Sequence, residues 1–283
     1  MYRRGAAAAV AAGSGKRDAL MQPFAFAAGS TPLLVSMPHV AMHIPADMAR
    51  ALTAAARGVP DTDWHVDRLY DFLPQLGAGV IRATHSRLVI DLNRSPDGRP
   101  LYPGASNTEL CPTTLFDETP VYAAGRAPDA AETAARLAAY WRPYHDRLAA
   151  ELAALKARFG VALLFDAHSI RSEVPRFFAG RLPDLNIGTG GGGSAAPDLA
   201  ARVVEAAAEA EGYSSVLNGR FKGGYITRQY GRPADGIHAI QLELSQIIYM
   251  DEDPPYRFRD DRADSIRPVL RRIIETMLDW AGV

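Results

Sequence analysis

The chain has 283 residues, a mass of 30.6 kDa, 48% hydrophobic residues and 31 basic against 32 acidic side chains. That length fits one large α/β domain or two small ones, and balanced charge without a basic stripe among aromatics argues against a nucleic-acid partner. Cys111 is the only cysteine, which excludes an internal disulfide and a cysteine-rich zinc module. No apolar run approaches the roughly 20 residues of a membrane helix.

Residues 1–30 are rich in Ala and Gly and carry Arg3 and Arg4 near the start. The apolar part, Ala6 to Ala12, is almost all alanine and too weak for the core of an export signal. We therefore read residues 1–30 as a disordered extension, with Met21 a candidate initiator, and residues 31–283 as a single domain. Gly13-Ser14-Gly15-Lys16 lacks the upstream glycine, the hydroxyl after the lysine and the preceding strand of a phosphate loop.

The fold is expected to begin with a buried strand, Pro32 to Met37, which ends at Pro38-His39. Ala46 to Arg57 reads as a helix. Asp61 to Tyr70 reads as a capped amphipathic helix, on which Asp63 and Asp67 would lie one turn apart on one face. Gly79 to Thr84 and Leu88 to Leu92 read as short strands. Residues 95–127, rich in Pro, Gly and Thr, form a long irregular connection of the kind that covers a site. Asp129 to Phe159 is a helix expected to kink or split near Pro143, with His145 on its core or surface strip.

Val161 to Asp166 has the small and β-branched composition of a central parallel strand, and it delivers Asp166, His168, Ser169 and Arg171 at its carboxyl end. In open α/β sheets that edge binds ligands. The four glycines 190–193 have no fixed offset from a lysine, so they read as a turn before the helix Pro197 to Glu211. His238 to Leu244 is apolar at alternate positions and carries Glu243, and a helix from Arg262 to Trp280 closes an α/β alternation without repeats or internal linkers.

Three strand tips thus offer His39, His168 and Glu243, and the 61–70 segment adds Asp63 and Asp67. Two histidines and a carboxylate from separate elements match the three protein ligands of a catalytic zinc. A further carboxylate beside the open position would serve as general base. No G-x-S-x-G elbow supports a serine hydrolase.

The chain resembles the N-formylglutamate deformylases (N-formylglutamate amidohydrolases). Seven collinear segments carry the likeness: 36–39 (SMPH), 61–70 (DTDWHVDRLY), 88–94 (LVIDLNR), 165–172 (FDAHSIRS), 182–189 (LPDLNIGT), 218–228 (NGRFKGGYITR) and 241–244 (QLEL). The resemblance implies a single-domain α/β fold, a mixed and largely parallel sheet flanked by helices and related to the zinc carboxypeptidases. It implies hydrolysis of N-formyl-L-glutamate to formate and L-glutamate in histidine degradation, in the cytoplasm. His39 and His168 would hold Zn2+ or another divalent ion, and Glu243 would be the base. Carboxypeptidases place a ligand glutamate three residues after the first histidine, where this chain has Met42. The third ligand is therefore expected to be Asp63, with Asp67 next and His43 and His65 as further candidates. Arg94, Arg171 and Arg228 are the expected partners of the substrate's two carboxylates. The main alternative is a metal-dependent amidase or carboxypeptidase-like enzyme acting on another N-acyl amino acid or small peptide; a non-catalytic binding protein would have lost one of these ligands or the base.

Overall fold

The computed structural model describes residues 21–283. Expectations for residues 1–20, Met21 as initiator among them, concern chain outside or at the edge of that range. Seven strands form one mixed sheet in the order β1-β3-β2-β4-β7-β5-β6. They are β1 (Phe24–Ala27), β2 (Leu33–Met37), β3 (Gly79–Ala83), β4 (Ala162–Ile170), β5 (Leu185–Gly188), β6 (Ser215–Leu217) and β7 (Ile237–Ser245). Four neighbouring pairs are parallel, and β1–β3 and β5–β7 are antiparallel. The expected single-domain α/β architecture is therefore the one observed. Its boundary moves, because Phe24–Ala27, assigned from sequence to a disordered extension, pairs along the edge of β3.

The central strands β2, β4 and β7 are buried along their whole length, as strands covered by helices on both faces of a sheet are. One face of the sheet packs Leu163, Phe165, Ala167, Ile240, Leu242 and Leu244 against the helices Pro197–Ala208 and Asp260–Trp280. The other face packs Leu34, Leu164 and Ala239 against the helix Arg142–Phe159. Alternation along β4 places Asp166 and His168 on this second face, after Leu164, and along β7 it places Gln241 and Glu243 there, after Ala239. The second face thus changes from apolar to polar at the carboxyl ends of the strands. That change builds the site.

Three expectations are corrected. Ala46 to Arg57 forms two short helices, Ala46–Ala49 and Ala54–Arg57, because Thr53 caps the second with its hydroxyl on the Ala56 N–H. Leu88 to Leu92 is buried yet not a strand: the Asp91 N–H donates to the Leu110 carbonyl, while the Val89 carbonyl accepts from Arg136. The segment 61–70 is helical only over Val66–Leu69, entered through His65 at φ +60°. The split near Pro143 is present as a π-helical turn, Leu137–Trp141, between Ala130–Arg136 and Arg142–Phe159.

His145 is a structural residue. It stacks on Trp141 with ring centroids 3.7 Å apart, and its Nε2 and Nδ1 lie 2.8 Å from the Leu92 carbonyl and 3.0 Å from the Tyr230 hydroxyl. Burial lowers its pKa to about 4, against the pull of the Leu92 carbonyl. A folded pKa below the unfolded value means that the unfolded chain binds the extra proton. The stabilisation is then complete above pH ~6.5 and is lost as pH falls towards 4, a change of roughly 3 kcal/mol. His145→Gln, which cannot titrate, should give a flatter dependence of the urea midpoint on pH between 7 and 4 than the parent; parallel curves would sink this account.

Candidate metal centre and active site

His39 follows β2 by two residues, and the Asp63 N–H donates to its carbonyl at 3.0 Å, tying the 61–65 loop to the tip of that strand. His168 comes from β4. The rings of His39 and His168 lie 4.9 Å apart, and with Asp63 they form a buried group whose candidate ligand atoms all lie within 4.8 Å of one another. Asp63 Oδ2 sits 2.8 Å from His168 Nδ1 and 3.6 Å from His39 Nδ1. Asp67, the second choice for the carboxylate, is exposed and pairs with Arg82. His43 bridges to His85 and His65 Nε2 meets the Tyr256 carbonyl, so neither joins the group. Met42 is exposed, in keeping with its departure from the carboxypeptidase pattern.

Both imidazoles present Nδ1 to the centre because Nε2 is held from behind. His39 Nε2 lies 2.7 Å from Asp91 Oδ1. His168 Nε2 lies 2.9 Å from Asn93 Nδ2 and 3.1 Å from Asp166 Oδ2. Carboxylates behind ligand histidines fix the ring orientation and raise the basicity of the inward nitrogen. Arg87 in turn grips Asp91 at 2.7 Å and lies 3.7 Å from Asp63. Asp91, Asn93 and Asp166 stand in or just after apolar runs of the sequence, but nothing local signals that they stand behind the histidines.

The donor set fits a divalent cation. His39 Nδ1 is buried without a hydrogen-bond partner, a costly state for a ring nitrogen unless something else engages it. Two ligands of a tetrahedral zinc, each bound at about 2.0–2.1 Å, stand roughly 3.3 Å apart. The 3.6 Å between His39 and Asp63 matches that spacing, and the 2.8 Å between His168 and Asp63 needs to open by only about 0.5 Å. The electrostatics agree. Although burial works against the charge, His39 and His168 hold the Asp63 carboxyl well below the usual carboxylate range. Burial opposes charging His168 too, yet Asp166 and Asp63 raise its pKa well above the ordinary imidazole value. A cation arriving at Nδ1 takes the place of that proton.

Glu243 pairs in register with His168 across β4 and β7. Burial pushes its carboxyl up to about 7, with His168 pulling down and Asp63 pushing up. His39, His168 and Glu243 line one cleft, together with Arg87, Arg94 and Arg220. Of the three arginines expected to meet substrate, only Arg94 lines it. Arg171 is drawn to the Glu252 carbonyl and to Asp253, and Arg228 donates to the carbonyls of Gly223 and Leu101. The expected connection 95–127 contributes Leu101, Tyr102, Ser106, Asn107, Thr108 and Phe116 to the same cleft.

The family model of the N-formylglutamate amidohydrolases matches residues 31–250. This chain belongs to the N-formylglutamate amidohydrolase family. It is 54% identical over 255 residues to the N-formylglutamate deformylase of Pseudomonas aeruginosa, covering 90% of this chain and 96% of that one. It is 51% identical over 257 residues to the N-formylglutamate deformylase of Pseudomonas putida, covering 91% and 96%. Among solved structures it resembles the N-formylglutamate amidohydrolase of Ralstonia eutropha JMP134, with a TM-score of 0.74 and 28% identity over 93% of this chain and 98% of that chain.

Proposed function

We propose that this family member hydrolyses N-formyl-L-glutamate to formate and L-glutamate, with His39, Asp63 and His168 holding a divalent ion. The observation that carries the reading is the convergence of two inward Nδ1 atoms on Asp63 in the cleft that also holds Glu243. What supports zinc is the donor set of two imidazole nitrogens and one carboxylate oxygen. When bound, such an ion polarises the scissile carbonyl and acidifies water. Glu243 then takes the proton from the attacking water and delivers it to the leaving amine, tasks suited to a buried carboxyl that pairs in register with His168 and lines the same cleft. Asp91, Asp166 and Asn93 keep both imidazoles aimed inward throughout. Arg94 sits one residue after Asn93 and supplies a guanidinium for the substrate α-carboxylate, which is one carbon from the amide. The same reading places the reaction in histidine breakdown, in the cytoplasm.

The test is release of amino acid from a panel of N-formyl-, N-acetyl- and N-succinyl-L-glutamate, run beside metal analysis of the purified protein. A formyl preference of at least tenfold and about one metal per chain are expected. Equal rates across the three acyl groups would favour a general N-acyl amidase, and absence of metal would remove the mechanism.

A further inference from the structure

Three guanidinium groups line the cleft, and their partners differ in kind. Arg87 is neutralised by Asp91 and Asp63. Arg94 donates only to neutral oxygens, the carbonyls of Asn93 and Thr108 and the Thr108 hydroxyl. Arg220 likewise donates only to carbonyls, those of Phe177 at 2.7 Å and Ser106 at 3.2 Å. Its guanidinium carbon lies 4.9, 5.6 and 5.4 Å from the ring centres of Tyr102, Phe177 and Phe221. No ion pair joins Arg94 or Arg220 to an acid among the described residues, although elsewhere in the chain arginines commonly find one. A half-buried cation held by rings and carbonyls is oriented at little further entropic cost, and it lacks an anion.

Resting on the deformylase reading, we infer that Arg220 binds the side-chain carboxylate of the substrate and sets specificity for an acidic N-acyl amino acid. The two carboxylates of glutamate differ in their distance from the amide. Arg94, next to the Asn93 that touches His168 and lining the same cleft, is assigned to the near carboxylate. The far carboxylate, two methylenes further on, needs a second cation that is not committed to the metal centre. Arg220 meets that need from a separate element, the connection between β6 and the helix Tyr225–Tyr230. Its planar fork suits a carboxylate in bidentate contact. Arg220 lies in the 218–228 segment that carries the family likeness, where the arginine expected to meet substrate, Arg228, donates instead to the carbonyls of Gly223 and Leu101.

The test compares Arg220→Met and the parent on N-formyl-L-glutamate and on N-formyl-L-glutamine, which is nearly isosteric but has no side-chain charge. The parent should prefer the glutamate substrate strongly. Arg220→Met should lose at least 100-fold in kcat/KM on N-formyl-L-glutamate while changing less than about threefold on N-formyl-L-glutamine. The preference then collapses, and the glutamine rate proves the variant folded and loaded with metal. Arg220→Lys should recover part of the loss. An equal fall on both substrates would make Arg220 a structural support and overturn the inference, as would an unchanged preference. A parent inactive on both formyl substrates would instead bring down the deformylase reading on which the inference rests.

Discussion

Glu243→Gln should keep its metal and release formate at least 1,000-fold more slowly than the parent. Positioned acids and bases typically contribute about 10²- to 10⁴-fold, and here one group is asked to serve both proton transfers. Glutamine preserves the shape of the side chain, and its amide can still meet Gln241, which donates to the Glu243 carboxylate at 3.3 Å. Glu243 lies outside the group of three that the metal would join, so occupancy should not fall. The measurements are kcat on N-formyl-L-glutamate and metal content on the same preparation. A variant with near-parental turnover would dismiss Glu243 as the base. One that lost metal and activity together would place it among the ligands.

The second large effect concerns the carboxylate of the metal centre. Asp63→Asn should purify without stoichiometric metal, with affinity at least 100-fold weaker, because one of three charged or basic ligands becomes a neutral amide. The change also leaves His168 and Arg87 facing the middle of a buried cluster with less negative charge. Removing one member of a buried pair typically costs about 3–5 kcal/mol, so a lower urea midpoint is expected in metal-free buffer. Added metal should raise the midpoint of the parent and barely move that of the variant, since only binding to the native state stabilises it. Full occupancy in Asp63→Asn, measured by elemental analysis, would contradict the ligand assignment.

How much of this was legible in the sequence depended on how local each signal was. Strands β2 and β4 open as continuous apolar runs and β7 alternates apolar with polar residues, and His39, His168 and Glu243 can be placed near their carboxyl ends from the sequence alone. The helical face expected to present Asp63 does not form. It reaches the centre from a loop, fastened by its own N–H to the His39 carbonyl and followed by the left-handed turn at His65. Strands β5 and β6 are only four and three residues long, and the helix Tyr225–Tyr230 spans six, too short to impose a period. The arginines were the least legible. Whether a guanidinium faces the cleft depends on residues far along the chain, as when Glu252 and Asp253 draw Arg171 away across 81 and 82 positions.

His168 and Glu243 are direct neighbours on two hydrogen-bonded strands, and a slip of one position would turn a side chain to the opposite face of the sheet. Their separation is thus clamped by the backbone ladder through every turnover. Accommodating a different amino-acid side chain by redesign then belongs to the 95–127 wall and the β6–helix connection, where side chains can be exchanged without changing the distance between His168 and Glu243.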